Sequence, residues 1–446
     1  MKFTLEEIRK AVGAEILVNK CSVNNKNYNI STDTRTIKEG DIYLPLKGAN
    51  FDGEKFCSDA VEKGALGCFV TKDEYPDSAE FVLKVDNTLT AYLSLAKYAR
   101  EKYNPKTIAI TGSSGKTTTK EMVYSVLSEK FKTQKTYSNH NNEIGLCQTV
   151  LTMPEDTEVL IIEMGMRGLG EIKLLSDYSH PDYAIITNAG SAHIGRLGSL
   201  DNIAIAKSEI ISSLNKNGAL IANDNPRLKK FANFDGERIF YSINDVKVIE
   251  KRPSYSKFVY KEKEYELNVE GDYNIENSLS AIEVGYKLKM TYEEIKKGLA
   301  SYRPIEKRWE SENVNGLNII NDSYNSNPES MKASVSTFVE LYPNPLVVLG
   351  DMGELGEDEV EFHREVGTYL ANKVKNINNV KFITVGNLAR EIGKELANSG
   401  IAVEFFNSNK EASLYILDNV NVGTTIFLKA SRAMKFEEIL EYLKAR

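Results

Sequence analysis

The sequence predicts an α/β fold in which parallel sheets are spread over three domains, one of them built around a phosphate-binding loop. Three observations carry this expectation. From Ile108 onward, short apolar strand-like runs alternate with helix-length segments, the pattern of a parallel sheet covered on both faces. A strand, a glycine turn, Lys116, three threonines and a helix follow one another in AITGSSGKTTTKEM, residues 109–122. After about Arg308 the strand rhythm restarts, enough for another α/β domain with its own sheet. A chain of 446 residues also exceeds one ordinary core.

Taken in order, residues 1 to about 104 open with MKFTLEEIRKAVGAEIL, where Thr4 and Glu7 have capping-box spacing and Leu5, Ile8 and Val12 share one helix face. This opening does not read as a signal peptide. Strand-like GDIYLPLKG and GALGCFV follow, and KYNPKT (102–107) is the expected joint. Next come strand TIAITG, a helix from Thr117, strands EVLIIEMG and DYAIITNAG, a helix through NIAIAKSEIISSL, and strand GALIAND. The last third offers LNIINDSY, PLVVLGD, KFITVGN, VEFF and TTIFLKASR as strands.

Composition narrows the function. Net charge is −7, with both signs mixed along the chain, which argues against a nucleic-acid binder. An anionic ligand must then be caught by local positive groups. Cys21, Cys57, Cys68 and Cys147 lie far apart without a CxxC, so reduced thiols are expected and a metal or disulfide framework is not. No run of about 18 apolar residues suggests a membrane span.

The loop at 112–118 (Gly112, Ser113, Ser114, Gly115, Lys116, Thr117, Thr118) meets the needs of a phosphate cradle. Its glycines permit tight turns, and its amides and the helix N-terminus attract anions. Lys116 supplies a point charge and Thr117 a magnesium ligand. Ile110 stands where GxxxxGK[ST] has its first glycine, and an ordinary glycine turn before a helix is the alternative. NKNG (215–218) lacks the Asp of a GTPase base-reading motif. Glu163 ends a strand and could hold a metal near phosphates, or be a surface acid. Read locally, His193 is a hydrogen-bonding loop histidine and Lys207 a solvated helix lysine.

In combination, TGSSGKTT, SNHNNEIG, EMGMRGLGEI, TNAGSAHIGRLGS and AKSEI resemble the Mur ligase family, ATP-dependent amide-bond formers of peptidoglycan precursor synthesis. The motifs occur in order across nearly the whole chain. The resemblance implies a UDP-muramyl substrate domain (1–104), a central P-loop parallel-sheet ATPase domain (105–310) and a C-terminal Rossmann-like α/β domain (311–446) closing over both. It implies that Lys116 holds the β- and γ-phosphates, that Thr117 and Glu163 hold Mg²⁺, that His193 sits at a second Mg²⁺, and that Lys207 is carried as a carbamate. Asn274 and Asn277 of GDYNIENSLSAI match an adenine-binding HNxxN segment, with Tyr273 in place of the usual His; Asn277 could equally be a helix-end polar residue. Arg308 matches an arginine reaching the γ-phosphate, and Asp322 an acid contacting the nucleotide.

STDTRTIKEGDIYLPLKGANFDGEKF (31–56) resembles the UDP-muramyl domain of two later family members, one adding the third amino acid and one adding D-alanyl-D-alanine. Ser31, Asp33, Arg35 and Lys47 are then placed near the UDP-sugar, with Asn139, Asn141 and Asn142 completing that site; Glu54 stands where the family often has His. DNPR (224–227) spells the diamino-acid signature, but lies before the adenine motif and reads as a turn. DSYNSNPESMKAS, VLGDMGELG and FLKASRAM point to the D-alanyl-D-alanine-adding member. Asn325, Asn327, Lys429 and Arg432 are its dipeptide-site candidates, and Ala430 replaces the glycine of KGSR, losing access to positive φ. The expected partners are therefore ATP, Mg²⁺, UDP-N-acetylmuramoyl-tripeptide and D-alanyl-D-alanine, in a cytoplasmic monomer. A third-residue ligase, a folate-polyglutamate-type ligase and a nucleotide-binding scaffold without turnover are the rivals.

Overall fold

The computed structural model describes residues 1–20, 26–48, 51–305 and 307–445; Cys21, and Glu306 of the IEKRWE segment, lie outside them. The chain divides into two compact units. The first comprises Met1–Ile108, Phe131–Met164 and Leu174–Pro181; the second comprises Ala109–Lys130, Gly165–Lys173 and Asp182–Arg446.

In the first unit, the helix Leu5–Val12 has the expected capping box, and Ile8 is buried. A five-stranded sheet has the order Glu15–Asn19, Phe81–Lys84, Gly67–Val70, Ile42–Tyr43, Ile30–Ser31. All its pairings are parallel except the one that joins Glu15–Asn19 to Phe81–Lys84. Tyr43, Cys57, Cys68, Val70 and Val82 form part of its core. The helix Thr88–Tyr103 stops at Asn104, whose φ of 46° turns the chain into strand Lys106–Thr111. KYNPKT thus carries this αL cap, followed by Pro105. Thr133–Lys135 and Val159–Glu163 pair in parallel. Every residue of VLIIE is buried, as a strand covered on both faces requires.

In the second unit, Tyr183–Ile186, Ala219–Asn223 and Glu237–Tyr241 pair in parallel. The helix Lys116–Leu127 packs against the helices Asp272–Lys287 and Tyr292–Ser301. DNPR is not a turn. Asn225 caps a helix, Pro226–Phe231, with Pro226 at its first position, where a missing N–H costs nothing.

Val246–Arg252, Tyr255–Tyr260 and Lys263–Leu267 form an antiparallel sheet that the α/β reading omitted. One of its hairpins turns on Lys261 and Glu262, both at positive φ (48° and 61°), without the Asn-Gly signature of such turns.

A six-stranded sheet closes the chain, in the order Glu310–Val314, Leu317–Asn321, Thr425–Lys429, Leu346–Gly350, Lys381–Val385, Ala402–Phe406. It is parallel except for the first hairpin, which turns on Asn315 and Gly316. One face buries Ile320, Val347, Leu349, Phe382 and Phe427; the other buries Ile319, Val348, Ile383, Ile426 and Leu428. Alternate side chains of each strand thus enter opposite cores.

Candidate active site

The strand Lys106–Thr111 ends in the glycine loop and the helix starts at Lys116. Gly112 (φ 152°) lies so close to Thr187 that a Cβ would sit 1.8 Å from Thr187 Oγ1. Gly115 takes φ 77°, and a Cβ there would sit 2.6 Å from Asn277 Oδ1. Both positions therefore need glycine for space as well as for dihedral angle. Lys116 Nζ donates to Gly112 O at 2.7 Å, folding the ammonium back over the loop. Thr117 is buried and its Oγ1 accepts from Arg308 Nη2 at 3.1 Å. Arg308 also lies over the Tyr324 ring, 4.1 Å from its centroid. The matched arginine thus reaches the glycine loop.

Lys207 overturns its local reading. It is wholly buried in the helix Leu200–Ser208, not solvated, and its Nζ has no hydrogen-bond partner among the described residues. Burial, then the like charge of Lys116, pushes its pKa well below that of an ordinary lysine; Glu171 and Glu209 oppose this. Two lysines of the matched motifs therefore share one neighbourhood.

His193 Nδ1 lies 2.7 Å from Glu354 Oε2, an ion-pair distance without hydrogen-bond geometry, and the proximity of His193 is the main reason the Glu354 carboxyl is held below the usual range. Asn274 and Asn277 are both buried near the start of the helix Asp272–Lys287, and Asn274 Nδ2 donates to Glu270 O at 2.7 Å. Asp322 pairs with Lys429 at 2.6 Å, so this lysine, a dipeptide-site candidate, stands beside the acid matched to the nucleotide. Asn327 caps the helix Pro328–Leu341 by accepting from Ser330 N. Asn325 accepts from Ser326 N, and Arg432 pairs with Glu437 at 2.9 Å in an exposed position. Ala430 is buried and is not among the positive-φ residues, so its replacement of glycine costs no backbone freedom.

In the first unit, Glu163 is buried rather than a surface acid, and accepts from Asn141 Nδ2 at 3.0 Å. Asn142 caps the helix Glu143–Leu151, and Asn139 is exposed. Asp33 forms a fork with Arg35 that pulls its carboxyl down to about 2, and Ser31 Oγ donates to Asp33 O. Lys47 is exposed. Glu54 accepts from both the N–H and the hydroxyl of Thr71.

Residues that sequence reasoning passed over contact the loop or its frame. Thr187 and Asn188 hold the loop directly. Glu329 accepts from Ser191 N and Oγ, each at 2.9 Å. All three lie inside quoted motifs, and Thr187 and Asn188 belong to residue types that do not signal chemistry by themselves. Among the described residues no group of three His, Cys, Asp or Glu side chains is arranged to hold a metal.

Residues 110–285 match the family model of the Mur ligase middle domain, and residues 307–432 that of the Mur ligase, glutamate ligase domain. The UDP-N-acetylmuramoyl-tripeptide--D-alanyl-D-alanine ligase of Bacillus subtilis (strain 168) is 37% identical over 431 residues, 93% of each chain. A crystal structure of MurF from Acinetobacter baumannii superposes with a TM-score of 0.89 at 28% identity, covering 100% of this chain and 99% of that one. The MurF ligase of Thermotoga maritima, in complex with ADP, gives 0.81 at 25% identity, covering 94% and 97%.

Proposed function

We infer the reaction from one premise: this chain belongs to the Mur ligase family. It is an ATP-dependent amide ligase that joins D-alanyl-D-alanine to UDP-N-acetylmuramoyl-tripeptide in peptidoglycan precursor synthesis. The observation that carries the chemistry is the cationic set around the glycine loop. Lys116 lies on the loop and Arg308 bonds to Thr117 there.

In the reaction we propose, the tripeptide carboxylate attacks the γ-phosphate of ATP, the bond from that phosphorus to the β-γ bridging oxygen breaks, and ADP leaves. Two anions must approach, so Lys116 and Arg308 offset their repulsion. The resulting acyl phosphate must be kept from water, which is the role we give to the C-terminal residues. The dipeptide amine then attacks, and the tetrahedral intermediate expels phosphate. An α-amine has a pKa of roughly 7.7 to 8.0, so a strong protein base is not required.

A magnesium ion fits this loop, because Thr117 offers a hydroxyl oxygen in the first turn of the helix Lys116–Leu127, the donor type a hard cation takes. It would neutralise phosphate charge. We propose Thr117 for one such ion, with Glu163 keeping that role on the family resemblance, His193 for a second, and Lys207 as its carbamate for a metal ligand. A neutral buried amine is the form of Lys207 that combines with CO₂, and the carbamate supplies an anionic oxygen where an ammonium would repel the ion. Asn274, Asn277 and Asp322 are proposed for the nucleoside. Ser31, Asp33, Arg35, Lys47, Asn139, Asn141 and Asn142 are proposed for the UDP-sugar, and Asn325, Asn327, Lys429 and Arg432 for the dipeptide. The domain limits 1–104, 105–310 and 311–446, the cytoplasmic location and the monomeric state belong to the same reading.

Mass spectrometry of the product from ATP, UDP-N-acetylmuramoyl-tripeptide and D-alanyl-D-alanine tests it. The joined pentapeptide precursor is expected, with phosphate released only when both peptide halves are present. Joining a diamino acid to the dipeptide precursor instead would make the chain a third-residue ligase.

A further inference from the structure

The loop that carries Lys116 is held from outside. Asn188 follows the strand Tyr183–Ile186, and its Oδ1 accepts from Ser113 N (3.1 Å) and Ser114 N (2.9 Å). Its Nδ2 donates to Ser114 Oγ (2.9 Å) and Ser114 O (3.2 Å), and its own carbonyl accepts from Ser113 N at 3.2 Å. Thr187 Oγ1 donates to the same Ser114 carbonyl at 2.6 Å.

These bonds orient two peptide planes. In a planar trans peptide the C=O and the next N–H point in opposite directions. Tying the Ser114 carbonyl to Thr187 and Asn188 therefore aims Gly115 N–H away from them. Tying Ser113 N–H to Asn188 aims the Gly112 carbonyl away in the same sense, and that carbonyl accepts from Lys116 Nζ. The Asn188 side chain thus sets the direction of one loop amide and the perch of the loop lysine.

We propose that Asn188 is a positioning residue for phosphate: it fixes the Gly112–Ser113 and Ser114–Gly115 peptides before nucleotide arrives, so that Gly115 N–H and Lys116 meet the phosphates without reorganisation. This rests on the reading of residues 112–118 as the phosphate site. A carboxamide suits the task because one planar group presents an acceptor to two amides and a donor to a carbonyl. An aspartate accepts but cannot donate, and adds negative charge beside the phosphates. An alanine leaves both serine amides without their side-chain acceptor.

Isothermal titration of ADP and of adenosine into wild type, Asn188→Ala and Asn188→Asp tests it. The expected result is ADP affinity lower by on the order of tenfold in Asn188→Ala, with adenosine affinity held within about twofold. In steady state the KM for ATP rises and that for the tripeptide substrate does not. Asn188→Asp loses more ADP affinity than alanine at low salt, and the excess shrinks as salt is added. ADP binding to Asn188→Ala within about twofold of wild type overturns the inference, as does an equal loss of ADP and adenosine. Should the alanine variant not fold, Asn188→Asp decides, since it keeps both accepted bonds: ADP affinity like wild type overturns the role. Wild type that binds no ADP overturns the phosphate-site reading itself.

Discussion

Single side chains carry two predictions. Lys207 is buried without a hydrogen-bond partner among the described residues, beside the charge of Lys116. An uncompensated ammonium there is costly, and carbamylation converts it to a ligand. Intact mass and activity measured together under CO₂ depletion should fall in step; full activity after complete loss of the adduct removes the role. His363 is buried, accepts from Met352 N through Nε2 at 2.9 Å, and places Nδ1 2.6 Å from Glu359 O. That arrangement needs the neutral ring, and burial lowers its pKa. The unfolded ring, with a pKa of roughly 6.5, binds protons more readily than the folded one. The contribution of His363 to stability is therefore complete above roughly pH 6.5 and declines as pH falls below it. Urea unfolding of wild type and His363→Gln at neutral and mildly acidic pH should show a smaller acid loss in the variant. Equal losses would place the acid sensitivity elsewhere.

At the scale of elements, caps compete with chemistry for the same residues. Asn327 is a candidate for the dipeptide site, yet it caps the helix Pro328–Leu341 in a reciprocal box with Ser330. Asn327→Ala should cost about 1 kcal/mol of stability, whereas Asn327→Asp should retain it, because aspartate also caps and suits the helix dipole. If the dipeptide KM rises in the aspartate variant while stability holds, Asn327 has a binding role besides capping; an unchanged KM leaves the cap as its whole role. Turns show where local chemistry was and was not readable. Asn315-Gly316 carries the ordinary hairpin signal, although the sequence reading passed over it. Lys261-Glu262 adopts the same positive-φ geometry with residues that disfavour it, so the packing of the antiparallel sheet overrides propensity there.

Across the second unit, bonds run continuously from the glycine loop to a helix of the last sheet. Ser113 Oγ donates to Gly190 O at 2.9 Å, and the next residue, Ser191, binds the Glu329 carboxylate in the first turn of Pro328–Leu341. Glu329→Ala should lower kcat several-fold while ADP affinity changes by less than about threefold, since it cuts the link and not the cradle. Parallel titration and turnover measurements check this, and unchanged kcat would leave the contact without a catalytic part. By itself, the sequence determined the alternating α/β elements, the loop with Lys116 and Thr117, and the order of the family motifs. These are written in local periodicity and in short spacings along one chain. Only the tertiary structure decided that Lys207 is buried, that Arg308 meets Thr117, that Lys429 pairs with Asp322, and that Asn188 steers the loop. Burial and pairing join residues as much as 191 positions apart, and the free energy that sets them comes from the surroundings each side chain acquires only once the chain has packed.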